Sequence, residues 1–208
     1  MRSTIVTALA VTALAASAAT PAAAAAATQP GVADIGEASF TKAGTTVTIP
    51  AQGHCSIDGP TSATAEAVSK PGITFGGGTS SCTTADATTK STATGKNFDL
   101  SALVSAGGPR VKLASFTVTC EATRTQANAT WTYGGMTGIA NPPSPVPAGY
   151  VSPLRKADGT ALANAVFNTQ TLPGDGSVGL TMLRIEFLPP SGLTGEVTVG
   201  RTSCTPTP

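Results

Sequence analysis

The stretch that decides the fold is Ala114-Ser-Phe-Thr-Val-Thr-Cys-Glu-Ala-Thr123, which alternates strictly along its length. The residues on one side are Phe116, Val118 and Cys120, and those on the other are Thr117, Thr119 and Glu121. A period of two residues with β-branched side chains is typical of a half-buried strand. We predict that this strand is the central one of the fold and that Cys120 cross-links it to another part of the chain.

Working outward, similar short patterns recur between Gly- and Pro-rich turns. They predict strands in segments 39–41, 45–49, 62–69, 111–124, 130–133, 178–188 and 196–204. About nine or ten short strands without a long helix favour an all-β fold, a two-sheet β-sandwich of immunoglobulin-like or jelly-roll-like form.

Four other segments carry more particular expectations. Segment 81–94 is interpreted as one strand and a mobile connection, and segment 98–104 as either a strand or one helical turn. The proline-rich segment 141–147 is expected to be irregular and to cross between the sheets. The pattern of 178–188 changes face near Met182 and Leu183, which suggests a β-bulge.

The N-terminus has the pattern of a secretory signal. Arg2 precedes a short apolar run, and the alanine tract at 22–27 offers small-residue cleavage sites. We therefore expect residues 1–27 to be a signal peptide, 28–37 a disordered N-terminus and 38–208 a single β-sandwich domain. Removing residues 1–27 leaves 181 residues with eleven basic and eleven acidic side chains, a balance that gives no argument for binding nucleic acid.

All the cysteines follow the predicted signal: Cys55, Cys82, Cys120 and Cys204. Export to an oxidising compartment makes disulfides the expected state, and four cysteines allow three connectivities. We favour Cys55–Cys82 together with Cys120–Cys204. Wide spacing and a single histidine, His54, argue against zinc, and we predict no metal and no cofactor.

Candidate functional residues are few. Trp131 and Tyr133 share one face of a predicted strand, where they form either part of the core or, if exposed, a stacking platform for a sugar ring. His54 beside Cys55 could suggest a nucleophile pair, but an exported cysteine is usually oxidised. Carboxylates that could form a glycosidase pair also fit outward strand positions: Glu121, Glu186 and Glu196. We predict no catalytic residue.

Residues 163–204 resemble the closing part of the actinobacterial secreted proteins called choice-of-anchor P. The resemblance is carried by Asn168-Thr-Gln170, a Gly-rich turn, Leu180-Thr-Met-Leu-Arg-Ile-Glu-Phe187 and Glu196-Val-Thr-Val-Gly-Arg-Thr-Ser-Cys204. In that family an Asn-Glu-Gln-like segment, a Val-Asn-Ala-Leu-His-Val-type strand and a terminal strand ending in cysteine recur in this order. The resemblance implies an exported all-β surface domain of unknown activity, and it supplies no catalytic residues.

Together these observations predict a secreted, non-catalytic extracellular or cell-surface protein with a structural or binding role. Leu188-Pro-Pro-Ser-Gly192 departs from a sortase signal, so we expect the mature chain to be free or held non-covalently at the cell wall. The expected partners are cell-wall polysaccharide or an extracellular protein, and no membrane span is expected in the mature chain. The alternative is an inhibitor of an extracellular hydrolase that presents Gly59-Pro60, and a hydrolase that depends on His54 is the third hypothesis.

Overall fold

The computed structural model describes residues 31–206 as a two-layer sandwich of antiparallel strands. The first seven strands are β1 (Val32–Lys42), β2 (Thr45–Gln52), β3 (Cys55–Ser56), β4 (Ser62–Ala65), β5 (Val68–Lys70), β6 (Ile73–Phe75) and β7 (Gly78–Ala85). The remaining seven are β8 (Thr88–Leu100), β9 (Val111–Ala122), β10 (Ala127–Gly134), β11 (Tyr150–Arg155), β12 (Ala161–Thr171), β13 (Val178–Phe187) and β14 (Leu193–Cys204). Two short 3-10 helices, Val104–Ala106 and Pro189–Ser191, join strands. The predicted β-sandwich is confirmed.

The two sheets use different parts of the chain. Sheet A has the order β11-β12-β13-β14-β1-β2, with β3 also paired to β1. Sheet B has the order β10-β9-β8-β6-β5, with β7 also paired to β8 and β4 paired to β7. Sheet B is therefore one continuous piece of chain, and sheet A is built from the two pieces that flank it.

The strand that contains Cys120, β9, has the predicted alternation. Phe116, Val118 and Cys120 are buried, whereas Glu121 on the other face is exposed. Its predicted central position is wrong, because β9 lies next to the edge strand β10. The middle of sheet B is β8, which pairs with β9, β7 and β6.

Segment 81–94, interpreted as one strand and a mobile connection, is instead a hairpin of β7 and β8. Its turn uses Asp86 and Ala87 at φ 49° and 59°. The inward positions carry small side chains, such as Ser91 and Ala93, that are fully buried. Small polar residues can fill an interior where the layers lie close together, so an apolar pattern was not needed for a long central strand.

The predicted disordered N-terminus, 28–37, is wrong for most of its length. Residues 32–37 form the first half of β1, which pairs with β14 from Val32↔Ser203 onward. Ala33 and Ile35 are buried in the core, and Asp34 is also buried, so this half of the strand is held on both faces. The predicted signal peptide, 1–27, and residues 28–30 lie outside the described residues.

Both favoured disulfides are confirmed, and both join the two sheets. Cys55 on β3 of sheet A bonds to Cys82 on β7 of sheet B. Cys120 on β9 of sheet B bonds to Cys204 at the end of β14 of sheet A. The proline-rich segment 141–147 also passes between sheets as predicted, since it connects β10 to β11.

The predicted change of face in β13 is present, but the pairing register does not shift there. Met182 and Leu183 are both buried, and left-handed residues flank this level in the neighbouring strands, Asn168 at φ 55° and Gly200 at φ 68°. The pairs Leu183↔Val199 and Thr181↔Arg201 keep one offset across it. Because β12 and β14 each have a left-handed residue beside Met182, the three strands change at the same level which of their residues face the core.

Candidate functional site

The edge strand β10 positions the two aromatic residues identified from the sequence. Trp131 is opposite Val118 and Tyr133 opposite Phe116 in the β9–β10 register, so both rings lie on the inward side of sheet B. Their ring centroids are 5.7 Å apart and their planes differ by 22°. This is the offset stacking that aromatic pairs favour.

A third ring comes from the facing sheet. Phe167 on β12 is fully buried, and its centroid lies 6.2 Å from that of Trp131 at an interplanar angle of 21°. Trp131 is thus stacked between a core ring and Tyr133. Both Trp131 and Tyr133 are only partly buried although they pack against the core. The core interpretation fits the side of the stack that contacts Phe167, and the stacking platform stays a prediction for the partly exposed side.

The proline-rich segment forms a wall opposite the rings, and Asn168 holds it in place. The Asn168 Nδ2 donates a hydrogen bond to the carbonyl oxygen of Val146 at 2.9 Å, and the Gly149 N–H donates to the Asn168 carbonyl at 3.0 Å. Gln170 Nε2 donates to Asn168 Oδ1 at 2.9 Å. Asn168 itself has a left-handed backbone, with φ at 55°.

Between these walls lies a cleft of about 510 Å³. Its lining residues are Ala129, Thr130, Trp131, Thr132, Tyr133, Pro142, Pro143, Ser144, Val146, Asn168 and Gln170. None of them carries a charge. A partly apolar concavity with rings on one side and a few fixed amides on the other is the usual form of a ligand-binding site.

A larger depression of about 680 Å³ lies beside the β9–β10 turn, but its chemistry is poorer. It is lined mainly by hydroxyl, amide and backbone groups and contains no aromatic ring. Its carboxylate, Glu121, is paired with Lys90 at 3.4 Å on the open face of sheet B. We therefore take the Trp131–Tyr133 cleft as the candidate site.

His54 does not face Cys55 but belongs to an ion-pair cluster on sheet A. His54 Nδ1 lies 2.7 Å from Asp34 Oδ1, and Arg201 donates two hydrogen bonds to Asp34 Oδ2 at 2.8 and 2.6 Å. Burial acts to lower the pKa of Arg201, but the charges of Asp34 and Glu37 outweigh it and raise that pKa. Cys55 is oxidised, so it supplies no thiolate for the nucleophile pair with His54 that the sequence suggested.

The three candidate carboxylates are divided between the sheets. Glu186 and Glu196 are cross-strand neighbours on the outer face of sheet A, and Arg184 bridges them at 2.7 and 3.8 Å. Glu121 lies on the opposite sheet. Like-charged neighbours held by an arginine on an open surface fit a solvated strand face.

The structure of residues 31–206 gives no indication of a metal site or of a membrane-spanning helix. No group of three or more His, Cys, Asp or Glu side chains in this range could hold a metal ion. In the same range no helix has the length and apolar character needed to cross a membrane.

Comparison with known protein families, with curated proteins and with solved structures finds no match for this chain. The assignment of the candidate site therefore depends on the geometry of the cleft alone.

Sequence reasoning found the rings of the cleft but not its other walls. In the sequence, Asn168 and Gln170 stand out only through the family resemblance, and the proline-rich segment only through its expected crossing between sheets. Phe167, Asp34 and Arg201 had no local signal. Each reaches its partner through pairings far apart in the chain, and the separation of Asp34 and Arg201 is 167 residues.

Proposed function

We propose that this chain is an exported, non-catalytic binding protein of the extracellular space or cell surface, and that its ligand occupies the Trp131–Tyr133 cleft. The observation that carries the proposal is the partly open ring stack facing the Asn168–Gln170 amides. Stacked rings offer a flat apolar surface, and amides fixed by hydrogen bonds offer directional contacts at little entropic cost.

Export is supported by two independent features. The first 27 residues have the charge and apolar pattern of a secretory signal. The chain also places all four cysteines in disulfides, which persist in oxidising compartments. The resemblance of residues 163–204 to the choice-of-anchor P proteins agrees with a surface location, and membership of that family is part of the proposal.

The proposed partners are cell-wall polysaccharide, held non-covalently, or an extracellular protein. The uncharged cleft favours a neutral segment of either polymer, because a charged group would lose hydration there without an opposite charge to compensate. A sugar ring could lie on Trp131 or Tyr133, and a polypeptide could use the same faces.

The test mixes the oxidised chain with washed cell walls and with insoluble polysaccharides and compares pellet with supernatant. Saturable pelleting that is lost in Trp131→Ala is the expected result for a wall ligand. Val104→Ala serves as the matched control, because Val104 is an exposed apolar residue outside the cleft. Pelleting that Trp131→Ala leaves unchanged would rule out the cleft as the wall-binding site.

A second candidate function is supported by the loop between β3 and β4. Asp58, Gly59 and Pro60 are exposed, while Ser56 N–H donates to the Pro60 carbonyl at 2.9 Å and the Cys82 N–H to the Thr61 carbonyl at 2.8 Å. A rigid, exposed loop beside a disulfide is a feature of protein inhibitors, since little ordering entropy is lost on binding. Inhibition of a panel of extracellular hydrolases, weakened by Pro60→Ala, would favour this function over the first.

A further inference from the structure

The candidate cleft runs along the edge of a strand rather than over one face. Five consecutive residues of β10, from Ala129 to Tyr133, line it. Successive strand residues point to opposite faces, so five in a row can share one groove only along the strand's edge. The groove therefore borders the open side of sheet B, where β10 is the last strand.

The backbone of β10 offers unpaired hydrogen-bonding groups in this groove. The β9–β10 turn is closed by the Thr123 N–H, which donates to the Gln126 carbonyl at 2.8 Å. Antiparallel pairs alternate between bonded and non-bonded, so in this register Thr130 and Thr132 bond to β9. The odd-numbered residues from Ala127 to Tyr133 are the non-bonded ones. Their backbone N–H and C=O groups therefore point away from β9. Within residues 31–206 no backbone hydrogen bond reaches them.

Other edges of the sandwich carry features that discourage strand addition, whereas β10 does not. The edge strand β2 contains Pro50, and β11 contains Pro153 and Arg155. On the far side of sheet B, the edge strand β5 is three residues long and ends in Lys70, and the edge strand β4 is only four residues long. Prolines, charges and short length are the usual protections of an exposed edge. The eight residues of β10 contain no proline and no charge, and their pairing with β9 is regular throughout.

We propose that the cleft takes an extended polypeptide segment of a partner protein, which adds to β10 as a further strand of sheet B. This inference rests on the proposed function and names its ligand class. Strand addition satisfies the open N–H and C=O groups, and alternate side chains of the added segment contact the Trp131 and Tyr133 rings. A segment of about five residues would span the groove, about 17 Å at 3.4 Å per residue. The middle of this bound segment is expected to be uncharged and to have apolar side chains on the side that faces the rings.

The experiment selects binders from a random heptapeptide library displayed on phage, using the oxidised full chain as bait. Ala129→Pro is the test variant. Proline removes the N–H that points into the groove and places its ring there, while the pairing of β10 with β9 is kept because that N–H does not bond to β9. Equal unfolding midpoints of the variant and the natural chain establish that the fold is retained.

Peptides that bind the natural chain at least tenfold more tightly than Ala129→Pro support strand addition. A second measurement leaves the protein unchanged. A selected peptide is resynthesised in two forms, one with N-methyl groups on its odd-numbered residues and one with N-methyl groups on its even-numbered residues. One form should lose binding and the other should keep it, because an added strand bonds to its neighbour through every second residue. Equal binding of the two forms would overturn the proposal.

The outcomes also separate this inference from the function on which it rests. Wall pelleting that requires Trp131 but is unaffected by Ala129→Pro would uphold the cleft and overturn strand addition. Failure to enrich any peptide over the Ala129→Pro chain would overturn it as well. Peptide binding lost in Ala129→Pro, without any wall pelleting, would support the inference and identify the partner as a protein.

Discussion

Cys120, on the inward face of β9, is bonded to Cys204, the last residue of β14, with 5.6 Å between their Cα atoms. This bond joins the two layers of the sandwich close to the β9–β10 turn. The second bond, between Cys55 and Cys82, also joins the layers but spans only 27 residues of sequence instead of 84.

We predict that loss of Cys120–Cys204 destabilises the protein more than loss of Cys55–Cys82. A cross-link that closes a longer loop removes more entropy from the unfolded chain, about 4.5 kcal/mol against about 3.5 kcal/mol here. Urea unfolding of Cys120→Ala/Cys204→Ala and Cys55→Ala/Cys82→Ala measures both. A greater loss in the second double variant would mean that folded-state contacts, rather than loop length, dominate.

The Asp34–Arg201 pair leads to a prediction about the stability of a buried carboxylate that loses its arginine partner. Asp34 is 2% exposed and Arg201 is 43% exposed, so loss of the arginine leaves a buried carboxylate with only His54. We expect Arg201→Met to lower the free energy of unfolding by about 3 kcal/mol. Adding Asp34→Asn should recover at least half of that loss, since the second change removes the uncompensated charge. Additive losses in the double variant would contradict this account.

His54 is the least important member of the same cluster. His54→Ala should cost about 1 kcal/mol or less, because Asp34 keeps its two hydrogen bonds from Arg201. Chemical denaturation at pH 7 measures the change. A loss as large as that of Arg201→Met would show that the histidine, and not the arginine, balances Asp34.

Much of the fold could be predicted because its signals are local. The alternation in β9, the oxidised state of the cysteines and the crossing of the proline-rich segment each depend on short patterns or on the number of cysteines. The first half of β1 was missed because Gly36 and the charged Asp34 interrupt its apolar residues. Its burial comes from pairing with β14 at the other end of the chain.

The candidate site was only partly predictable for a similar reason. Trp131 and Tyr133 alternate within one strand, and this is visible in the sequence. Their exposure depends on the edge position of β10, and the opposite wall depends on how Asn168 holds the proline-rich segment. Sheet order and contacts between distant segments follow from the packing of the whole chain, which short patterns do not encode.

Trp131 is the only tryptophan in the chain, so its fluorescence reports on the cleft alone. We predict that a cleft ligand reduces acrylamide quenching of this fluorescence and shifts the emission to shorter wavelength, because the partly exposed ring becomes covered. Peptides selected on the natural chain provide the ligand, and the N-methylated form that loses binding provides the control. Binding without any change in quenching would place the ligand away from Trp131.

The same residue also contributes to stability, which sets a limit on the use of Trp131→Ala. The ring packs against Phe167 and the core, and we expect its removal to cost about 2 kcal/mol, less than for a fully buried ring. Trp131→Phe should restore most of this loss and keep a stacking surface. If Trp131→Phe is as unstable as Trp131→Ala, the indole must make a contact that a smaller ring does not replace.

Asp99 gives a prediction about pH. Arg110 donates to both carboxylate oxygens of Asp99 at 2.7–3.1 Å, and Lys112 lies 3.7 Å away. The hydrogen bonds from Arg110 and the charges of both bases lower the pKa of Asp99 below its ordinary value of 3.8. The unfolded chain therefore binds this proton more readily than the folded chain, so Asp99 stabilises the fold at pH values above the ordinary carboxyl pKa.

We expect Asp99→Asn to lose about 1 kcal/mol at pH 7, a modest value because the pair is open to solvent. The difference in the free energy of unfolding between the natural chain and Asp99→Asn should shrink as the pH falls through the lowered pKa of Asp99. Below that pKa the Asp99 carboxyl is neutral, like the asparagine that replaces it. Unfolding curves at pH 7 and pH 2 measure it. The control is Asp58→Asn, because Asp58 is exposed and forms no ion pair with any residue in the range 31–206. A constant difference at both pH values would mean that the substitution disturbs the packing of β8 against β9 rather than the charge.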